Sequence, residues 1–231
     1  MRLRATLALL LIASTASAHS LWIDREGDFL VLRSGHFHSG EEADLQEYGP
    51  GFVREALCLD GDGAADTLEL TGETPFRSPG SCAAVTVFAS SGYWTKTPYG
   101  TKNLPKDEVE MPIRSGLYFS YVKRIERWSP AMGRPLTRWL EIVPLDDPTA
   151  LRSGDSLGAR VVLDGKPLAG LEVRSGGERI GATDAEGRIT IPLAFPGICL
   201  IETEHVEPVE SEKTDKVVRA ATLVVVVGET P

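Results

Sequence analysis

The chain has 231 residues, with 33 Asp and Glu against 24 Lys and Arg and a formal net charge of −9. That balance does not point to nucleic acid or to an anionic lipid surface, where a basic patch would be expected; it suits a protein that attracts cations, or simply one that stays soluble. The length allows one large domain or two small ones.

Met1–Ala18 has the three parts of a secretory signal peptide. Arg2 and Arg4 form the positive region, Leu7–Ala13 the apolar region and Ala16-Ser17-Ala18 an A-x-A cleavage site. The apolar stretch is too short to span a bilayer, and no cysteine lies at the cut for a lipid anchor. The expected product is a soluble exported protein, most simply periplasmic. A cut after Ala18 leaves His19 at the mature amino terminus; a cut after Ala16 leaves Ser17-Ala18-His19, with histidine third.

After the signal the pattern is strands and turns with almost no helical periodicity. Strands are expected at Phe29–Arg33, Val53–Leu59, Ala83–Ala89, Leu117–Lys123 and Trp139–Val143. Further strands follow at Leu157–Leu163, Leu171–Arg174, Arg179–Thr183, Arg188–Ile191, Gly197–Glu204 and Val217–Val227. Asp60-Gly61-Asp62-Gly63, Ser78-Pro79-Gly80, Asp164-Gly165, Gly176-Gly177 and Glu186-Gly187 punctuate them as turns. Many short strands at this spacing predict an all-β protein of sandwich type. Pro144-Leu145-Asp146-Asp147-Pro148 reads as a linker between two β-sandwich domains, 19–145 and 149–231. The order of strands and turns from Val161 to Gly197 looks like the immunoglobulin-like or prealbumin-like modules appended to many exported proteins.

Three of the four histidines lie near the mature start: His19, His36 and His38. If Phe29-Leu30-Val31-Leu32 begins a strand that continues, period 2 sends His36 and His38 to one face, where both can hold one cation. A free α-amino group on His19 would add a nitrogen, since its ordinary pKa of about 7.7–8.0 lets a metal displace its proton near neutrality. His205, in Glu202-Thr203-Glu204-His205, is the only histidine of the second half and would complete a site if the halves pack together. The plain alternatives are a solvated His205 and a surface pair at 36 and 38. Glu41 and Glu42 either orient an imidazole from behind or form a solvated turn. Tyr93 and Trp94 either wall the site or fill the core; the Gly, Thr and Pro of Gly92–Gly100 favour the wall. Cys58 and Cys82 can pair in an oxidising compartment, and Cys199 reads as a buried core thiol or, failing that, a soft ligand.

The His-x-Leu-Trp start, the Gly35-His36-Phe37-His38 segment, Gly92-Tyr93-Trp94-Thr95-Lys96-Thr97-Pro98-Tyr99-Gly100 and the closing Arg219-Ala220-Ala221-Thr222-Leu223 together resemble a domain family of unknown function associated with nickel and cobalt uptake. The resemblance runs through essentially the whole mature chain. It implies a periplasmic accessory protein that captures a metal ion and hands it to an inner-membrane nickel/cobalt transporter.

Imidazole nitrogens suit nickel, cobalt, copper and zinc, whereas calcium and magnesium prefer oxygen shells. The expectation is therefore a non-enzymatic carrier of nickel or cobalt, with His19, His36, His38 and His205 as ligands and copper or zinc as possible occupants. An amino-terminal histidine joined by a second one is also the copper-binding arrangement of oxidative polysaccharide-cleaving enzymes, but no further motif of catalysis is present. A third class is an exported structural or adhesion module with incidental histidines.

Overall fold

The structure is a computed structural model that describes residues 19–37 and 43–229. Residues 1–18, where a signal peptide is expected, and His38, Glu41 and Glu42 lie outside the described residues. In chain order the strands are β1 (Ser20–Glu26), β2 (Phe29–His36), β3 (Asp44–Leu45), β4 (Val53–Leu59), β5 (Ala65–Thr67), β6 (Arg77–Pro79), β7 (Ala84–Thr97), β8 (Gly100–Lys102) and β9 (Arg114–Ile125). They continue with β10 (Glu141–Pro144), β11 (Ser156–Leu163), β12 (Lys166–Pro167), β13 (Glu172–Ser175), β14 (Glu178–Ala182), β15 (Arg188–Pro192), β16 (Gly197–Pro208) and β17 (Lys216–Val227). Two 3-10 turns, Lys106–Glu108 and Pro130–Gly133, are the only helical pieces among the described residues. The chain is all-β, as its sequence predicts.

A nine-stranded sheet in the order β14-β13-β16-β17-β9-β7-β4-β5, with β8 beside the end of β7, is the centre of the molecule. A small sheet of β1, β2, β3 and β6 lies on one of its faces, and another of β10, β11, β12 and β15 on the other. Period-2 alternation assigns the side chains. Ala221, Leu223 and Val225 of β17 pack with Ile142, Leu157 and Ile191 of the second small sheet. Val224 of β17, Val122 of β9 and Val85 and Val87 of β7 pack with Leu21, Ile23, Leu30 and Leu32 of the first. A strand covered on both faces has no polar side to show, so β17 reads Thr222-Leu223-Val224-Val225-Val226-Val227 without alternation.

The two halves of the chain meet in this sheet. β17 pairs parallel with β9 from Val217↔Leu117 to Val224↔Arg124. A parallel neighbour needs a crossover, and here β10 to β16 form it. The linker at 144–148 joins β10 to β11, which pair antiparallel through Pro144↔Ala159. Each apolar core takes residues from before and after that linker.

Polar ties hold the layers together. Lys123 of β9 and Glu141 of β10 are 1% and 0% exposed, with Nζ 2.7 Å from Oε1. The backbone N–H groups of Leu136 and Thr137 and the Thr137 hydroxyl donate to the Glu141 carboxylate. On the other face Arg124 donates to the carbonyl of Ile23 at 3.0 Å and to Glu126. Cys58 and Cys82 form a disulfide that closes a 24-residue separation, which in the chain-entropy model contributes roughly 3 kcal/mol. Cys199 is a buried free thiol beside the Ser175 hydroxyl, and burial pushes its pKa up, as the core reading expects.

Candidate metal centre

β1, which is not among the strands expected from the sequence, positions His19. Gly27 and Asp28 join β1 to β2 in a two-residue turn, with Gly27 at φ 56°. A tight turn of that kind requires positive φ, and glycine adopts it without steric cost. The turn sets the register, which runs through seven pairs from Glu26↔Phe29 back to Ser20↔Gly35. One step further brings His19 opposite His36, and the rings meet edge to face with centroids 4.8 Å apart.

β3 adds a third group to this row. Gly35 pairs with Ser20 on one side and Leu45 on the other, while His36 pairs with Asp44. A Cβ at Gly35 would lie 2.0 Å from the Asp44 carbonyl oxygen, so the close approach of β3 depends on glycine. His36 Nδ1 is 3.5 Å from Asp44 Oδ2. His19, His36 and Asp44 thus occupy register positions on three adjacent strands and share a face. A carboxylate on the Nδ1 side orients an imidazole and directs its Nε2 lone pair elsewhere.

The surroundings are anchored. The Phe37 ring leaves β2 to pack on Trp22 at 5.3 Å. The Tyr48 hydroxyl donates to the Leu32 carbonyl and accepts from the Phe76 N–H, holding the chain after β3 against β2. Burial raises the Tyr48 pKa, partly offset by the Phe76 N–H and the Arg33 charge. At the start of β1 the Ser20 hydroxyl bonds to Glu202 of β16, whose carboxyl is pushed up by burial.

The other expected ligands are placed differently. Alternation along β16 puts His205 on the same face as Cys199 and Ile201, towards the second small sheet. Leu200, which packs with β1 and β2, is on the opposite face. His205 is therefore not brought to His19 and His36. His38 follows Phe37, outside the described residues. Among the described residues no group of three or more His, Cys, Asp or Glu side chains is arranged to hold a metal ion. What converges is two imidazoles with one carboxylate behind the second. Asp44 was missed because Glu41-Glu42-Ala43-Asp44 offers three carboxylates with nothing to distinguish the one that pairs.

Tyr93 and Trp94 lie in a different sheet from this row. They belong to β7, which runs on through Gly92 by a bulge between Ser90 and Gly92 and pairs with β9 as far as Lys96↔Arg114. The Trp94 indole donates to Ser91 Oγ, and Asn103 donates to the carbonyls of Ser91 and Tyr93. Gly92–Gly100 is thus strand followed by the Pro98-Tyr99 turn into β8. Its glycine is absorbed by the bulge and its threonines by buried positions at Thr95 and Thr97.

No curated protein matches the chain. Residues 16–207, most of its length and nearly all of the strands described, match one family model, so the chain belongs to the family described as Domain of unknown function (DUF4198).

Proposed function

We propose that this protein binds a divalent transition-metal ion, nickel or cobalt, with His19 and His36 as its nitrogen donors. In this reading it is exported by the signal at 1–18 and carries the ion to an inner-membrane transporter. The observation that supports it is the edge-to-face approach of His19 and His36, with Asp44 against the second ring. Two neutral imidazoles suit late first-row cations better than calcium or magnesium. His38 is one residue beyond Phe37 and remains a candidate third imidazole. An α-amino group on His19, if the signal is cut after Ala18, adds a further nitrogen. A site with few protein donors leaves positions for water and for a receiving ligand, which transfer requires.

The test is native mass spectrometry of the exported chain titrated with nickel, cobalt, copper and zinc, followed by calorimetry. Uptake of one nickel or cobalt ion is expected, with affinity lowered tenfold or more, about 1.4 kcal/mol, in His19→Ala and in His36→Ala. His205→Ala leaves the affinity unchanged. Unchanged affinity in both of the first two variants sinks the proposal, and tight binding of copper alone replaces it with copper carriage.

A further inference from the structure

Glu202 is an acid in an apolar setting. It lies on the face of the central sheet that bears Leu200 of β16 and Val224 of β17, where Leu21 and Ile23 of β1 pack. Burial pushes its carboxyl pKa up, and withdrawing an ionisable group from water is costly unless a partner compensates. Arg174, its cross-strand neighbour on β13, directs its guanidinium to Glu172. The bond that Glu202 does receive comes from the hydroxyl of Ser20, at the start of β1.

The position of that bond is informative. From Leu21 onward β1 needs no such tie, because Leu21, Trp22 and Ile23 are buried in an apolar core. Ser20 is where the ladder with β2 ends, opposite Gly35. His19 lies one residue beyond it and is exposed, and a residue past the last ladder pair frays unless its neighbour is fixed. Yet its ring meets that of His36, with centroids 4.8 Å apart. A hydrogen bond to a carboxylate is among the stronger polar ties that a side chain makes. On β1 it falls at the residue next to His19.

We propose that Glu202 is a positioning residue for the metal centre: through Ser20 it fixes the start of β1 against the central sheet and holds His19 opposite His36. Its effect on affinity rests on the metal reading above, whereas its effect on the two rings does not. Glu202 is not a ligand in this scheme, since among the described residues it forms no metal-holding group with the two histidines. A site ordered before the ion arrives loses less conformational freedom on binding, and such preorganisation raises affinity without adding a donor.

The test uses the chain from His19 onward and two readouts. Without metal, a nuclear Overhauser contact between the His19 and His36 rings is expected in wild type and lost in Glu202→Ala and in Ser20→Ala. It is kept in Glu202→Gln, whose amide carbonyl still accepts from Ser20. With nickel or cobalt, calorimetry is expected to show affinity about tenfold lower in Glu202→Ala, and Glu202→Ala/His19→Ala no weaker than His19→Ala alone. A merely structural role makes the two losses additive and overturns the proposal. So does a ring contact that is absent from wild type, or one that survives in both Glu202→Ala and Ser20→Ala. If wild type binds neither metal, the metal reading falls, and the ring contact alone decides whether Glu202 positions His19.

Discussion

Gly35 is where the candidate site is most sensitive to a single atom. A methyl group there would meet the Asp44 carbonyl at 2.0 Å, and backbone on both sides leaves little room to yield. Gly35→Ala is expected to detach β3 and destabilise the chain by about 1–3 kcal/mol, the usual cost of overpacking. Asp44 would move away from His36 with it. Asp44→Ala keeps the glycine and removes only the carboxylate, so it should weaken metal binding about tenfold or more with little loss of stability. Urea denaturation and metal titration of the two variants separate these effects. Equal stability of Gly35→Ala and wild type would show that β3 is not held as described. The sequence marks the Gly-His pair as unusual, but it does not reveal that the glycine serves the strand at 44–45. That contact crosses a loop, and no local pattern encodes it.

At the scale of elements, most strands follow from apolar runs bounded by turn residues. Val53–Leu59 is found with its expected bounds, and Leu157–Leu163 and Val217–Val227 extend by one residue each. β1 escaped because Asp24, Arg25 and Glu26 end it with charges. Those charges face partners: Arg25 bonds to Glu126, and Glu26 pairs with Arg33 and Arg77. Its signal was Gly27-Asp28 between two runs, a hairpin turn whose register alone places His19 opposite His36. The Gly92–Gly100 stretch was misread because composition weighs a glycine against a strand even where a bulge accommodates it. Between layers, the buried Lys123–Glu141 pair joins β9 to β10. Removing one partner leaves the other charge uncompensated in the interior, so Lys123→Met should cost about 3–5 kcal/mol. Lys123→Met/Glu141→Gln should recover part of that, because the glutamine carbonyl still accepts from Leu136 and Thr137. Thermal unfolding of the single and double variants measures both, and no recovery in the double would mean that the loss lies in packing and not in charge.

For the whole molecule the consequential feature is the parallel pairing of β17 with β9. It makes the last strand of the chain a central strand of the sheet, between elements of both halves. The segment 149–231 alone would expose the β17 edge that pairs with β9 and the apolar face that packs on β1 and β2. That fragment is expected to lack the dispersed amide spectrum of a folded domain, and the full chain to unfold in one cooperative transition. A well-dispersed spectrum from the fragment would show that the pairing is dispensable.

The sequence by itself determined the all-β class, the positions of most long strands, the cysteine pair capable of bridging, and the concentration of three of the four histidines between residues 19 and 38. Those properties are local, set by period, turn chemistry and residue type. Tertiary structure decided which histidines meet, that Asp44 joins them, that His205 faces the other way, and that the two halves share one sheet. Each depends on strand register and on which face of the central sheet an element covers. Register follows from turns and close backbone approaches, and face assignment from the packing of all three layers at once. A linear sequence specifies both but displays neither.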